Sequence, residues 1–485
     1  MESSLYYGDN LEVLRRSIRD ESVDLCYIDP PFNSRRGYQR IYHNHLGGED
    51  PAPKAHAFTD TWVWDEAARD GLQQILENRG GLYTPPVIEL ITGLRQVLKE
   101  GSLLAYLVSM TLRIAEIHRV LKQTGSFYLH CDPAASHYLK LLLDALFVAQ
   151  GGEFQNEIIW CYTIGGKART RFAEKHDCIL FYTKSNKSIH TFNAQGASIA
   201  RRGNSHMKAR IDADGRQYQE KTDRKTGRVY RYHLDEGKIA EDYWTDIETL
   251  NREDKERLGY PTQKPEALLE RIIRTSSNAG DLVLDAYCGC GTTAAVAQRL
   301  NRRWIGIDNT YQAISLVLKR LEDSFGRDVL KTIALKGIPS DMDAATTLAN
   351  KRDDRLRNEF EKWAVLTYTN NHAILSDSKS AAQGIDGAAY FLTNGQAHAR
   401  IIFQVKSDHL KSADVATLRD RLEREQATLA VLITLEKPTP AMILDARAAG
   451  RYQQGPPGKS YDRIQLVTIQ EILEQHKRLN IQTRA

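Results

Sequence analysis

No run of about 18 apolar residues occurs in this 485-residue chain, so no segment of it is expected to cross a membrane as a helix. Met1–Asn10 also lacks the apolar centre of a secretory leader, and a cytoplasmic location is expected. Cysteine is sparse. The six, Cys26, Cys131, Cys161, Cys178, Cys288 and Cys290, form no C-x-x-C pair and no close Cys/His cluster. That excludes the usual zinc spacings, and a disulfide scaffold does not suit a chain this long. They are read as reduced thiols, mostly buried. A strong charge of one sign is absent too, since 66 Lys and Arg stand against 62 Asp and Glu, for a net +4. Any nucleic-acid face must therefore come from where the charge sits rather than from its sum. Internal repeats and low-complexity tracts are missing. What is present is ordinary globular composition, 41% hydrophobic and 26% charged, at a length that suits two or three domains.

Strand and helix signals alternate along the first two thirds of the chain. Val23–Ile28 is apolar enough for a buried strand, and Asp29-Pro30-Pro31 stops it because proline cannot continue a ladder. From about Asn33 to Glu100 the chain mixes Gly, Pro and His with Trp62 and Trp64, which suits either a flap or an ordinary insertion. Leu104, Leu107, Ile114, Ile117 and Leu121 recur at helical spacing, with Gly125 as the expected helix stop. Phe127–Leu129 then reads as a strand, and Asp132-Pro133 as an N-cap and first helical turn. Strands are expected again at Ile158–Tyr162, Ile179–Tyr182, Leu282–Ala286 and Trp304–Ile307, with helices between and after them. This alternation predicts an α/β layered fold with a largely parallel sheet. Between about Ser185 and Gly259 the pattern dissolves. Residues 161–240 carry a net charge of about +9, with Tyr218, Tyr230 and Tyr232 interleaved, as a nucleic-acid-contacting face requires.

Two short segments carry chemistry. The first is Leu282 to Ala294, a strand, then Gly289-Cys290-Gly291, then a helix. Glycines there allow a sharp turn and close approach of a ligand to the backbone. Asp308, about 17 residues beyond, ends the next strand, where a carboxylate can accept both ribose hydroxyls of an adenosine. The turn also satisfies a dinucleotide fingerprint. Asp285 argues against that reading, because an acid before the turn suits an amino-acid ammonium and repels a pyrophosphate. The second segment is Asp29-Pro30-Pro31-Phe32. An exocyclic base amine is a poor nucleophile, since its lone pair is delocalised into the ring. Acceptors at both its hydrogens, the Asp29 carboxylate and the Pro30 carbonyl, would draw the nitrogen toward tetrahedral geometry. Prolines pre-set the aim of that carbonyl, and Phe32 offers a face for a base to stack on. Such a base must first leave the duplex, at a cost of a few kcal/mol.

With these motifs the chain resembles the amino-group DNA methyltransferases of the β arrangement, in which the catalytic tetrad precedes the cofactor glycines. The resemblance spans about residues 5–330 and rests also on Gly8-Asp9-Asn10, the run Arg119 to Ser126, Tyr128 to Asp132, His176 to Leu180, and Gly259 to Pro265. It implies a Rossmann-like methyltransferase sheet entered at a permuted point. It implies catalysis by Asp29, Pro30, Pro31 and Phe32. Contacts to S-adenosylmethionine are implied for Asp9, Lys264, Asp285, Tyr287, Gly289, Gly291 and Asp308. An Asp-first tetrad leans to N6 of adenine, and N4 of cytosine is the alternative. Ala286-Tyr287 departs from the family's usual Pro-Phe but keeps an aromatic. DNA is the implied partner, and a homodimer or a separate restriction subunit is compatible with the family. His130 and His176 are read as structural.

The domain plan expected is 1–185 as the catalytic half, 186–258 as an inserted target-recognition region, 259–330 as the cofactor half, 331–355 as a linker, and 356–485 as a small α/β unit. In the last, Asp386 and the strand Ile401–Lys406 resemble the metal site of restriction-type nucleases of the Mrr-like branch. Asp386 and Gln404 would hold Mg2+, Lys406 would position water, and Glu361 could assist. A bifunctional methyltransferase–nuclease is therefore a competing expectation. A non-catalytic DNA-binding module is disfavoured by the intact Asp29 and glycines. A nicotinamide oxidoreductase is disfavoured by Asp285, and a zinc deaminase lacks its P-C-x-x-C ligands.

Overall fold

The computed structural model describes residues 2–32, 36–41, 54–60, 62–163, 168–200, 209–251, 253–350, 354–376, 384–392, 398–453, 460–481 and 483–484. Nine strands build the main sheet. They are β1 (Ser3–Tyr7), β2 (Val23–Ile28), β3 (Leu121–Cys131), β4 (Glu153–Cys161), β5 (His176–Thr183), β6 (Tyr243–Trp244), β7 (Leu282–Asp285), β8 (Arg303–Asp308) and β9 (Ile333–Lys336). Their order is β6-β4-β5-β3-β2-β7-β8-β1-β9. Every neighbouring pair is parallel except those of β5, which runs antiparallel to both β3 and β4. The expected α/β layered sheet is thus present, and it is mostly parallel.

Side-chain alternation explains why the sheet is buried on both faces. Leu25 and Tyr27 of β2 enter the core shared with α4 (Glu266–Ser276), α5 (Thr292–Arg299) and α6 (Tyr311–Phe325). Cys26 and Ile28 enter the opposite core, with α1 (Asn10–Ser17), α2 (Ser102–Val120) and α3 (Pro133–Leu146). Asp132 caps α3 by accepting from the Ala135 amide, and Pro133 opens the helix, as its sequence predicts.

Gly125 is not the helix stop it was expected to be. Helix α2 ends at Val120 and β3 begins at Leu121. Val23 pairs with Leu121 but Leu25 with Ser126, so residues 122–125 bulge opposite Asp24. A Cβ on Gly125 would stand 2.8 Å from the Lys122 carbonyl, which is why glycine occupies the bulge. Residues 331–355, expected as a linker, also carry structure. Within them β9 pairs with β1 at the sheet edge, and a helix covers Met342–Ala349.

Between β5 and β6 the basic segment forms a three-stranded meander (Ala209–Ile211, Gln217–Thr222, Val229–His233) and a short pair (Ser198–Ile199 with Lys238–Ile239). In the uncertain 33–100 stretch, Arg36–Ile41 pairs antiparallel with Lys54–Asp60; residues 33–35, 42–53 and 61 of the expected flap lie outside the described residues. Beyond the main sheet, α7 (Asp354–Tyr368) precedes a second sheet of β10 (Ile374–Leu375), β11 (Gly387–Leu392), β12 (His398–Lys406), β13 (Leu429–Thr434) and β14 (Ile464–Thr468), in that order. Phe360 and Trp363 of α7 are fully buried in the same core as Ile314 and Val317 of α6. Each such side chain contributes about 1.5–3 kcal/mol on burial, so the second sheet is firmly joined to the first. Among the described residues no helix is long and apolar enough to cross a membrane, and all six cysteines are free.

Candidate active site

Parallel strands end side by side, and their C-terminal ends are where loops make ligand sites. Here β2, β7, β8 and β1 are neighbours. They end at or within two residues of Asp29, Asp285, Asp308 and Asp9, which places acidic groups in a row along the C-terminal ends of these strands. A cleft of about 1090 Å³ lies over those ends. Asp29, Pro30, Pro31 and Phe32 line it, as do Asp9, Lys264, Asp285, Tyr287, Gly289 and Asp308. Two segments some 250 residues apart in sequence are thereby brought together.

Gly291 does not belong to the lining. It sits at the N-terminus of α5 with φ +77°, and a Cβ there would meet Val317 at 2.8 Å. The close packing of α5 on α6 by itself requires glycine there. Gly289, with φ +48°, does face the cleft, where a Cβ would lie 3.1 Å from the Tyr260 ring.

The carboxylates are held differently. Asp285 accepts from the Tyr287 amide (3.0 Å) and from the Thr293 hydroxyl (2.5 Å). Burial pushes it up to about 7, against those hydrogen bonds, with Asp29 and Asp308 adding to the rise. Asp308 accepts from the Gly289 amide (3.1 Å) and from the amide and hydroxyl of Thr310 (both 2.9 Å), and burial raises it to about 6. Each is a carboxylate that a positive or hydrogen-donating partner from the cleft would stabilise in its ionised form. Asp29 already has one, since Oδ2 lies 2.6 Å from Lys264 Nζ. Asp9 is fully engaged: Oδ1 caps α1 through the Leu11 amide (2.9 Å), and Oδ2 pairs with Arg113 (2.9 Å). Arg113 also holds Asn10, whose amide donates to the Ala286 carbonyl (2.8 Å) and ties the β1 and β7 loops together.

Phe32 rests nearly parallel to His130, with centroids 6.0 Å apart and planes at 22°. His130 is fully buried in a chain of hydrogen bonds, Nδ1 to the Tyr27 hydroxyl (2.9 Å) and Nε2 to Asp177 (3.0 Å), with Tyr162 donating to the other Asp177 oxygen (3.2 Å). Burial acts to raise Asp177, but His130 and Lys264 hold it below the usual carboxylate range. His130, read from sequence as structural, is thus the platform beneath Phe32. Arg113 was not singled out in sequence; Asn10 entered only within the Gly8-Asp9-Asn10 block, and Thr293, the second residue of the helix after the glycines, only within the turn segment, neither with a role of its own.

A family model described as DNA methylase matches residues 23–319, more than half of the chain and all of the cleft's tetrad and glycine turn. The chain belongs to the DNA methylase family. Among its relatives, the DNA adenine methyltransferase YhdJ of Escherichia coli is 28% identical over 320 residues, covering 66% of this chain and 82% of the relative. The type II methyltransferase M.HinfI of Haemophilus influenzae is 30% identical over 327 residues, covering 66% and 68%. M.HpaI of Haemophilus parainfluenzae is 32% identical over 231 residues, and here the match spans 47% of this chain and 63% of that protein. The solved structure of the cytosine-N4-specific PvuII DNA methyltransferase aligns with 69% of this chain and 95% of its own, at 15% identity and a TM-score of 0.38. As a member of this family the protein is an S-adenosylmethionine-dependent DNA methyltransferase acting on exocyclic amino groups. The cleft fits that methyl donor: Asp285 and Asp308, both raised by burial, face it without a cationic partner among the described residues, and Gly289 keeps its floor open.

In the second sheet, Asp386 lies just before β11, beside β12. Its amide donates to the Phe403 carbonyl (2.8 Å), and its carboxylate accepts from the Val405 amide (2.7 Å). Gln404 is buried, and its Oε1 has no hydrogen-bond partner in the protein. Burial raises Asp386 to about 6 and, with Asp386 adjacent, Glu361 of α7 to about 7. Lys406 pairs with Asp414 at 3.2 Å. Among the described residues no group of three or more His, Cys, Asp or Glu is placed to hold a metal.

Proposed function

We propose that this methyltransferase acts on N6 of adenine in a short DNA sequence, with Asp29, Pro30, Pro31 and Phe32 as its catalytic residues. The observation that supports the site is the placement of Asp29 at the end of β2, one strand from Asp285, in a single cleft, and the choice of adenine rests on the Asp-first tetrad. The flipped base stacks on Phe32, which His130 backs. Asp29 Oδ1 and the Pro30 carbonyl accept the two amino hydrogens and release the nitrogen lone pair. Lys264 keeps its hold on Oδ2 and so fixes the carboxylate's aim. When bound, S-adenosylmethionine supplies an electrophilic methyl group. Asp285 would hold its ammonium and Asp308 its ribose hydroxyls, with Tyr287 and Gly289 bordering it. After transfer the nitrogen sheds a proton, which Asp29 accepts. The inserted segment 186–258, whose positive charge lies in its first two thirds, selects the target sequence. Single-molecule sequencing of DNA from cells expressing the protein tests this. N6-methyladenine in one motif, lost in Asp29→Ala, is expected; N4-methylcytosine there instead would overturn the adenine assignment.

The unpaired, buried Gln404 Oε1 favours a second activity. Two carboxylates, Asp386 and Glu361, with this amide oxygen, would give Mg2+ a set of hard oxygen donors, and Lys406 would position water. A magnesium-dependent cleavage of DNA is then expected from the full chain. The double variant Asp386→Ala with Lys406→Ala should lose cleavage and keep methylation. Absence of cleavage by the parent protein on DNA lacking the methyl mark sinks this second reading.

A further inference from the structure

The cleft has one wall that the family match, ending at residue 319, does not reach. Asn358, Glu359 and Lys362 of α7 line it together with Asp308, Asn309 and Thr310. They are one helical turn of a single face, since positions 358, 359 and 362 recur at the spacing of neighbours on a helix. The helix is anchored rather than laid loosely across. Glu359 is 5% exposed and its Oε2 accepts the Tyr311 amide (2.7 Å), a first-turn donor of α6 that the helix itself leaves without a partner. Oε1 of the same carboxylate holds Lys362 Nζ at 2.6 Å. The Tyr311 hydroxyl lies 3.1 Å from Thr367 Oγ1, one face further along α7. Phe360 and Trp363, on the adjoining face, are sealed in the core.

The position along the cleft follows from the sheet. Asp29, Asp285 and Asp308 end successive strands, β2, β7 and β8. Helix α6 starts three residues after Asp308, and Glu359 binds that start. Helix α7 therefore flanks the β8 end, one strand beyond Asp285 and two beyond Asp29. If Asp285 takes the ammonium and Asp308 the ribose, as proposed above, what comes to lie against α7 is the adenosine end of the donor. Purine and ribose present ring nitrogens that accept hydrogen bonds, hydroxyls that both accept and donate, and one amine that donates. Lys362 supplies a donor, and Asn358 both a donor and an acceptor.

We infer that helix α7 of the C-terminal unit completes the methyl-donor pocket, with Lys362 and Asn358 as binding residues for the adenosine end and Glu359 as the positioning residue that fixes Lys362 and the loop after Asp308. The C-terminal unit is then part of the methyltransferase site and not an appendage to it. The inference rests on the donor-site reading of the cleft, and the experiment separates the two.

Binding to the full chain is measured by calorimetry, without turnover, for two probes. S-adenosylhomocysteine carries both ends of the donor, and 5′-methylthioadenosine carries the adenosine end alone. Lys362→Ala is expected to weaken both probes by about ten- to a hundredfold, the loss of one hydrogen bond from a charged group. Asn358→Ala, at an exposed position, should weaken both in the same direction with its melting temperature unchanged, and it decides the matter should Lys362→Ala disturb folding. Asp285→Asn should weaken S-adenosylhomocysteine and spare methylthioadenosine. If Asp285→Asn behaves so while both α7 variants bind like the parent, the donor site stands and the α7 wall falls. If Asp285→Asn leaves S-adenosylhomocysteine binding unchanged, the donor-site reading falls and takes this inference with it.

Discussion

At the scale of single residues, Asp29 and Asp285 separate chemistry from binding. Both are carboxylates in one cleft, but Asp29 is already paired with Lys264 whereas Asp285 is buried with only neutral donors. Asp29→Ala should cut methyl transfer by at least about a hundredfold, the scale of removing one transition-state hydrogen-bond partner. Its affinity for S-adenosylhomocysteine should stay near that of the parent. Normal turnover by this variant would remove Asp29 from the reaction. Asp285 makes a prediction in pH. Its carboxyl is raised from 3.8 to about 7, so it is protonated at lower pH and cannot pair with an ammonium until the proton leaves. Donor affinity should be flat above about pH 8 and fall toward about tenfold per unit below pH 7. Asp285→Asn should flatten that profile, which titration calorimetry across pH 5.5–8.5 would read.

At the scale of elements, what was legible was local. Val23–Ile28 was readable to the residue because an apolar run meets two prolines, and the glycine turn because strand, turn and helix follow one another directly. The tetrad and the turn carried most of the proposed site residues into one cleft. What was not legible depended on partners distant in sequence. Gly125 looks like a helix stop, and only the register between β2 and β3 reveals the bulge. His130 looks like a core histidine until Phe32 is seen lying on it. Gly291 looks like a ligand contact, yet its neighbour is Val317 on the following helix. That last difference is testable. Gly291→Ala puts a Cβ into left-handed backbone at φ +77° and 2.8 Å from Val317. A loss of about 1–3 kcal/mol in urea unfolding is expected. Pairing it with Val317→Ala should recover part of that loss. If Gly291→Ala instead weakens donor binding with no loss of stability, the glycine belongs to the site after all.

At the scale of the whole molecule, the acids raised to about 6 or 7 lie at two places among the described residues, the donor cleft and the Asp386 centre. Asp285 and Glu361 are raised to about 7, and Asp308 and Asp386 to about 6. In each case the folded form holds its proton more tightly than the unfolded chain does. The contribution to stability is then fullest below the unfolded values near 4 and is lost as pH rises through 6 to 7. The ligand-free protein should accordingly melt at a lower temperature at pH 8 than at pH 6, unlike a protein whose acids are satisfied by internal cations. A bound donor changes this at one centre only. An ammonium on Asp285 and hydroxyls on Asp308 stabilise the ionised forms, so the rise in melting temperature given by S-adenosylhomocysteine should be larger at pH 8 than at pH 6. Glu361 and Asp386 remain uncompensated by that ligand. Asp386→Asn should therefore remove part of the pH dependence that survives saturation with S-adenosylhomocysteine. If saturation alone abolished the whole of it, the acids of the second sheet would not be the strained groups their burial makes them.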